Sequence, residues 1–203
     1  MKPISPPFWA RLPHTDAFMC LTPDLLHQVH KGVFYNHLYT WCGRIAGEME
    51  LDARWKAMPN YPALKHFFKG VSSISQWTGN EYKEMERAFI GVIAGALPPD
   101  ATKGARAPME FAMYAQYPTH TSNSLDTMSQ SLKMFHEHKH HFLHPILRPH
   151  FNIPKLHAIS HYVDSIKSRG SAVGFNTELP ERFHIDFARK AYRRSNKKKY
   201  TAK

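Results

Sequence analysis

The chain has 203 residues and a net charge of +11 at pH 7, because 27 lysines and arginines outweigh 16 aspartates and glutamates. Hydrophobic residues make up 42% and aromatics 13%, which supports a packed core and argues against general disorder. The basic excess favours a polyanionic partner, nucleic acid ahead of a membrane surface, although an inert basic surface would have the same composition. Two cysteines exclude a disulfide framework, and no apolar run could span a bilayer. We therefore expect an intracellular protein, nuclear or cytoplasmic, that does not contact membranes.

The N-terminal part begins as a proline-rich arm over residues 1–22, in which residues 17–21 could form one strand. Thr22 is a good N-cap and Pro23 suits the first helical position, so a helix is predicted from here. Apolar residues then recur at helical spacing up to about Cys42. They indicate one buried face, formed by Leu26, Val29, Val33, Leu38 and Trp41.

The remaining chain shows helical periodicity separated by loop-like segments. Residues 59–79 are typical of loops around a short helix, residues 95–108 of a break, and residues 169–180 of a glycine-rich loop. Helices are predicted after an Asn80 cap, with Tyr82, Met85, Phe89 and Val92 buried, and over about 109–117, 121–144, 156–168 and 181–195. With at most one strand, the chain is expected to be mainly α.

The motif PDLLHQVHKG, residues 23–32, contains the first pair of residues that could carry chemistry. Asp24 and His27 are three residues apart, so they share one face of the predicted helix. Asp24 also lies in the first turn, where the helix dipole favours negative charge. The alternative is structural: Asp24 supports the helix start and His27 fills a polar gap.

The second group of residues that could carry chemistry lies in the segment NTELPERFHIDFARKAYRRSNKKKY, residues 176–200. Glu181 opens a helix whose residues Phe183, Phe187 and Ala191 are predicted to form a buried stripe. The basic residues on it and after it are Arg182, Arg189, Lys190, Arg193, Arg194, Lys197, Lys198 and Lys199. Glu181 could hold a divalent metal while these residues bind DNA phosphates, although an ordinary solvated basic helix has the same pattern. The run RRSNKKK gives a weak indication of a nuclear address.

The run FHEHKHHFLH places His136, His140 and His144 at a spacing of four residues, which on a helix can bind zinc. No cysteine lies nearby and Lys139 falls within the run, so a solvated or phosphate-facing helix is the preferred interpretation. The sequence contains no GxxxxGK[ST] phosphate loop and no GxSxG elbow, which argues against an NTPase and a serine hydrolase.

Several long strings together resemble the Plavaka transposases of fungal genomes, a group of the CACTA superfamily, and they occur in the family's order. They are FWARLPHTDAFMCLTPDLLHQVHKGVF, WKAMPNYPALKHFFKGVSSISQWTGNEYKEMERAFIGVIAGA, FAMYAQYPTHT and HFNIPKLHAISHYVDSIKSRGSAVGFNTELPERFHIDFARKAYRRSNKKKY. The resemblance covers nearly the whole chain.

The resemblance implies cut-and-paste DNA transposition by an RNase H-like domain that holds two Mg²⁺ or Mn²⁺ ions with two aspartates and a glutamate. The family's Asp-x-x-His signature matches Asp24 and His27, and its catalytic glutamate, which is also a metal ligand, matches Glu181 best. Glu178 is the alternative match. In the related fold the glutamate helix packs back toward the signature, so the resemblance also implies that Glu181 lies near Asp24 and His27. DNA is the implied partner, and self-association is implied by analogy with transposase assemblies.

One departure from the family pattern limits what this chain can do. The family's two aspartates precede the Asp-x-x-His signature, whereas only Asp16 precedes Asp24 here. We therefore expect a C-terminal fragment that is inactive alone and lacks most of the sheet, whether as a truncated gene product, a decayed element or a retained module. Its regions would be an arm with a remnant strand (1–22), a helical insertion (23–175), and the catalytic-glutamate helix with a basic tail (176–203). The alternative function is a non-catalytic DNA-binding or assembly module derived from a transposase.

Overall fold

The protein is built from helices. The structure is a computed structural model that describes residues 5–14, 16–143 and 150–197, and these residues contain no β-strand. The helices are α1 (Ala17–Cys20), α2 (a π-helix over Leu25–Tyr39 that continues as an α-helix over Thr40–Ala46), α3 (Glu48–Ala57), α4 (Gly79–Ile93), α5 (Pro99–Ala115), α6 (Ser122–His138), α7 (Pro154–Ala158), α8 (Tyr162–Arg169) and α9 (Glu178–Phe183, then a π-helix over His184–Arg189, then Lys190–Arg194). Short 3₁₀ turns cover Phe8–Arg11, Lys139–Phe142, Ile159–His161 and Ala172–Phe175. The prediction of a mainly helical chain is confirmed for these residues.

Helix α2 lies at the centre of the fold and packs against α4, α5 and α7. Four residues of its predicted apolar face are buried, namely Val29, Val33, Leu38 and Trp41. Leu26, the fifth, is only half-buried, and its neighbour Leu25 is buried instead. Phe34, from the same helix, meets the ring of Phe89 on α4 edge to face, with centroids 5.1 Å apart. Burying this side of α2 fixes where its N-terminus, with Asp24 and His27, meets the rest of the protein.

An aromatic cluster closes the core at the C-terminal end of α2. The indole ring of Trp41 stacks on Phe135 of α6 at 6.4 Å between centroids and meets Phe142 at 5.6 Å and Phe151 at 5.4 Å. These contacts join the α5–α6 helix pair to α2. Gly104 of α5 permits the close packing of that pair, since a Cβ there would lie 3.1 Å from the Cβ atom of His138, the last residue of α6.

Two predictions for the N-terminal region are wrong. Residues 17–21 are not a strand, because Ala17–Cys20 forms one turn of helix. Thr22 is not the cap of the following helix; Asp24 is, because its side chain accepts the backbone N–H of His27 at 2.7 Å. The helix starts two residues later than predicted, so the cap position falls on Asp24, whose carboxylate accepts the N–H of the third helical residue.

The middle of the chain differs from the predictions in its boundaries. The capping residue of α4 is Thr78, not Asn80, and it forms a capping box with Glu81. The predicted break over 95–108 instead contains the first half of α5, which starts at Pro99 because proline suits a first helical position. Helix α3 was not predicted, and residues 59–78 contain no helix.

The largest correction concerns the last helix. It begins at Glu178 rather than Glu181, and its predicted buried stripe is exposed: the side chains of Phe183 and Phe187 are 50% and 74% accessible, and Ala191 is exposed as well. Helical spacing of apolar residues predicts an apolar face correctly, but it does not reveal whether another element of the chain covers that face.

Candidate functional site

The candidate site is built around the buried carboxylate of Asp24, which lies at the N-terminus of α2. One carboxylate oxygen accepts the backbone N–H of His27 at 2.7 Å and contacts the Nδ1 atom of His27 at 2.6 Å. The other oxygen accepts the backbone N–H of Thr177 at 3.1 Å and its hydroxyl at 2.6 Å. Both oxygens of Asp24 are therefore fully engaged by two residues from opposite ends of the described chain.

His27 links Asp24 to Glu181. Its Nδ1 atom faces Asp24, and its Nε2 atom lies 3.0 Å from Oε1 of Glu181, in a half-exposed position. An imidazole ring can donate to both carboxylates only when both of its nitrogens carry protons, so the cationic form satisfies this arrangement completely. The predicted proximity of Glu181 to Asp24 and His27 is thus confirmed, and the three side chains form a carboxylate–imidazole–carboxylate chain.

Polar contacts hold the first turn of α9 against the body of the protein. Thr177 precedes the helix and bonds to Asp24, and Glu178 accepts a charged hydrogen bond from Lys83 of α4 at 2.6 Å. Glu178 also accepts the side-chain amide of Asn176 at 3.3 Å. Glu178, the alternative match for the family glutamate, is therefore paired with a lysine, whereas Glu181 faces His27.

The environment of the site shifts the pKa values of two groups. Burial alone would raise the pKa of Asp24, but the hydrogen bonds from Thr177 and His27 outweigh it and hold that pKa below its ordinary value. Burial raises the pKa of Tyr162 well above its usual range, and the negative charge of Asp24 adds to this effect. Asp24 is thus an ionised, fully bonded anchor, and Tyr162 stays a neutral phenol.

The basic residues assigned to DNA binding lie beyond the site along α9. Those that the structure describes are all exposed: Arg182, Arg189, Lys190, Arg193, Arg194 and Lys197. Lys190 pairs with Asp186 at 2.6 Å. Lys198 and Lys199 lie outside the described residues. The α9 surface therefore presents positive charge to solvent. This basic surface follows the Asp24–His27–Glu181 cluster, which lies at the N-terminal end of the helix.

The histidine run does not form one helical face. Helix α6 ends at His138, so His136 lies on the helix while His140 lies in the following 3₁₀ turn, where its ring contacts His141 at 4.0 Å. His144 lies outside the described residues. Within the described ranges, no group of three or more histidine, cysteine or acidic side chains is placed to hold a metal ion.

The two-ion centre that the resemblance implies does not fit the residues at this site. Such a centre needs several convergent carboxylates with free oxygen atoms. Asp24 uses both oxygens for hydrogen bonds, and Glu178 is paired with Lys83. Glu181 is bonded through one oxygen to His27, and both contacts of Glu178 use its Oε2 atom, so each of these two glutamates has one oxygen without a partner in the described contacts. Two single oxygens do not supply the convergent carboxylates that the centre needs.

Sequence reasoning missed three features of this region. Thr177 and Lys83 join α9 to the body, yet a threonine before a helix and a lysine on one are too common to single out. The third is a fully buried pair one turn beyond His27: Nδ1 of His30 lies 2.9 Å from both carboxylate oxygens of Glu86 on α4. The histidine of the HQVH string was a visible signal, but its partner lies in a different helix.

Comparison with known proteins supports part of this picture. The family model described as Plavaka transposase matches residues 1–42, a range that contains both Asp24 and His27. Neither the curated proteins nor the solved structures contain a match to this chain. In the described part of the chain, no helix is both long and apolar enough to cross a bilayer.

Proposed function

We propose that this chain is a C-terminal part of a Plavaka-type transposase of the CACTA superfamily and that it binds DNA through α9. The observation that carries the proposal is the contact between His27 and Glu181 at 3.0 Å. It joins the segment that matches the family, residues 1–42, to a basic helix that lies outside the match. The Asp24 anchor would hold this helix in place.

The charge distribution supports DNA as the partner. The net charge is +11, and the exposed arginines of α9 are Arg182, Arg189, Arg193 and Arg194. Guanidinium groups bind phosphates in a bidentate manner, and phosphate contacts dominate sequence-independent affinity for DNA. Of the described acidic residues in α9, Glu181 contacts His27, Glu178 contacts Lys83 and Asp186 contacts Lys190. Each therefore already has a cationic or polar partner, which leaves the arginines to define the surface.

Catalysis is assigned to the complete family enzyme rather than to this chain. There, Glu181 would contribute one carboxylate to an RNase H-like Mg²⁺ or Mn²⁺ centre, and the two aspartates would come from sequence outside this chain. We propose that the chain alone holds neither ion tightly and cuts no DNA, because both oxygens of Asp24 are engaged in hydrogen bonds and Glu178 and Glu181 each offer only one further oxygen. Self-association, as in transposase assemblies, is part of the same proposal.

The DNA-binding proposal is tested by charge removal on α9. The double variant Arg193→Ala, Arg194→Ala should weaken binding to random-sequence duplex DNA and flatten its salt dependence by about 0.9 in log–log slope for each lost phosphate contact. The matched control is Arg44→Ala with Lys133→Ala, which removes the same charge from exposed positions on other helices. Equal losses in both variants would show that net charge, not α9, determines binding.

The catalytic assignment is tested separately with magnesium or manganese and a labelled duplex. The isolated chain should leave the duplex uncut, and titration calorimetry with Mn²⁺ should give no tight binding. Metal-dependent cleavage that disappears in the Glu181→Gln variant would overturn the proposed inactivity and establish this chain as a nuclease by itself.

A further inference from the structure

The exposed aromatic residues of α9 point to a more specific ligand. We propose that this helix binds single-stranded nucleic acid, with unpaired bases stacking on Phe183 and Phe187 and phosphates held by the neighbouring arginines. The inference rests on the proposed DNA-binding function and narrows its substrate class.

Helix α9 is an amphipathic helix with no buried residue among those described. Its side chains Phe183, Phe187 and Tyr192 are 50%, 74% and 57% accessible. The rings of Phe183 and Phe187 lie 5.8 Å apart and are tilted by 51°, so they do not cover each other face to face. Because these two rings are neighbours, they form a contiguous exposed apolar patch rather than scattered single residues, and such patches mark binding surfaces.

The arginines near Phe183 and Phe187 indicate which class of partner this helix binds. Arg182 and Arg189 lie within the same turns as the two phenylalanines, and Arg193 and Arg194 follow. A second copy of α9 would bring the same positive charge against itself, so a homodimer through this face is disfavoured. A polyanion with planar apolar groups satisfies both the arginines and the rings, and single-stranded nucleic acid has this chemistry.

Unpaired strands fit better than a duplex for a geometric reason. In a duplex, the faces of the bases are covered by their stacked neighbours, so an exposed phenylalanine can contact only the backbone or the groove. In a single strand the base faces are accessible, and stacking on aromatic rings tolerates any sequence. The guanidinium groups of arginine can stack on bases as well as bind phosphates, which suits this helix.

The experiment compares three fluorescein-labelled probes in anisotropy titrations: an oligothymidylate, an abasic deoxyribose-phosphate strand of equal length, and a duplex. We expect the oligothymidylate to bind most tightly. Replacing Phe187 with alanine should weaken oligothymidylate binding by at least about fivefold, since stacking on one ring contributes roughly 1–3 kcal/mol per base. Binding of the abasic strand should change little. The matched control is Ile185→Ala, which removes an exposed aliphatic side chain from the same helix.

A second variant separates stacking from general apolar contact. Phe187→Tyr should retain single-strand binding. Phe187→Leu should weaken it about as much as Phe187→Ala does, because leucine keeps the apolar volume but has no aromatic face. Equal affinity of the leucine variant and the wild type would overturn the proposal. A second result would also overturn it: Phe187→Ala loses binding to anionic phosphatidylserine vesicles but keeps its affinity for oligothymidylate.

The same data distinguish failure of this inference from failure of the proposed function. If the duplex binds through Arg193 and Arg194 but the base-bearing and abasic strands bind equally well, DNA binding stands and base stacking is wrong. If none of the three probes binds, the DNA-binding function fails as well. Circular dichroism of each variant checks that helix content is unchanged.

Discussion

Thr177 donates both its backbone N–H and its hydroxyl to one carboxylate oxygen of Asp24, at 3.1 Å and 2.6 Å, across a sequence separation of 153 residues. The other oxygen of Asp24 is taken by His27, whose far nitrogen contacts Glu181. Helix α9 is thus attached to the N-terminus of α2 by a short polar chain and by the Lys83–Glu178 pair, not by a packed apolar face.

Removing the Thr177 hydroxyl should loosen the attachment of α9. In Thr177→Val, one oxygen of Asp24 keeps the backbone N–H of residue 177 but loses the hydroxyl, and a hydrogen bond to a charged group contributes about 1.5–3 kcal/mol. Hydrogen exchange measured by mass spectrometry should speed up over residues 178–194. Thr177→Ser keeps the hydroxyl and is the control. Unchanged exchange in the valine variant would mean that the Lys83–Glu178 pair holds the helix by itself.

The lowered pKa of Asp24 makes its contribution to stability depend on pH. Because the folded-state pKa lies below the ordinary value of 3.8, the ionised carboxylate stabilises the folded state above that pH. The contribution is lost as the pH falls through the folded-state pKa. Asp24→Asn should therefore be less stable than wild type at neutral pH, and the difference should shrink as the pH falls below 3.8.

Urea denaturation at a series of pH values measures this difference. The control is Asp126→Asn, at an exposed aspartate on α6, which should follow the wild-type profile. A difference between wild type and Asp24→Asn that stays constant from neutral pH to strongly acidic pH would mean that Asp24 acts through packing rather than through its charge.

The buried pair of His30 and Glu86 should show strong coupling. Glu86→Leu leaves the fully buried imidazole without its partner, and breaking a buried pair typically costs about 3–5 kcal/mol. The double variant His30→Leu, Glu86→Leu removes both polar groups and should recover most of that loss. A double-mutant cycle of unfolding free energies in guanidinium measures the coupling. Additive single-variant losses would contradict it.

Phe183 and Phe187 on α9 are exposed, so we expect that truncating either side chain barely changes the stability of the protein. Phe187→Ala should change the free energy of unfolding by no more than about 0.5 kcal/mol, as expected for a surface position. Phe89→Ala, in the core against Phe34, should cost about 3–5 kcal/mol. Thermal and urea unfolding of both variants gives the comparison. Similar losses at the two positions would indicate that Phe187 packs against another element in solution.

The sequence by itself determined what depends on neighbours along the chain. Helical periodicity gave the mainly α class and the buried faces of α2 and α4, because side chains three and four residues apart share a face of a helix regardless of the fold around them. The Asp-x-x-His spacing indicated that Asp24 and His27 would meet. The resemblance to Plavaka transposases added that Glu181 would lie near them, which periodicity could not predict.

The tertiary structure decided everything that depends on which surfaces meet. The apolar stripe of Phe183 and Phe187 was identified as a face, but whether that face is buried depends on the position of other elements, and in this fold none of the described elements covers it. The partners of His30 and Asp24, Glu86 and Thr177, come from distant segments, so no local pattern marks them. Long-range pairing is set by the closure of the whole core, and this chemistry therefore became visible only when α2, α4 and α9 were placed together.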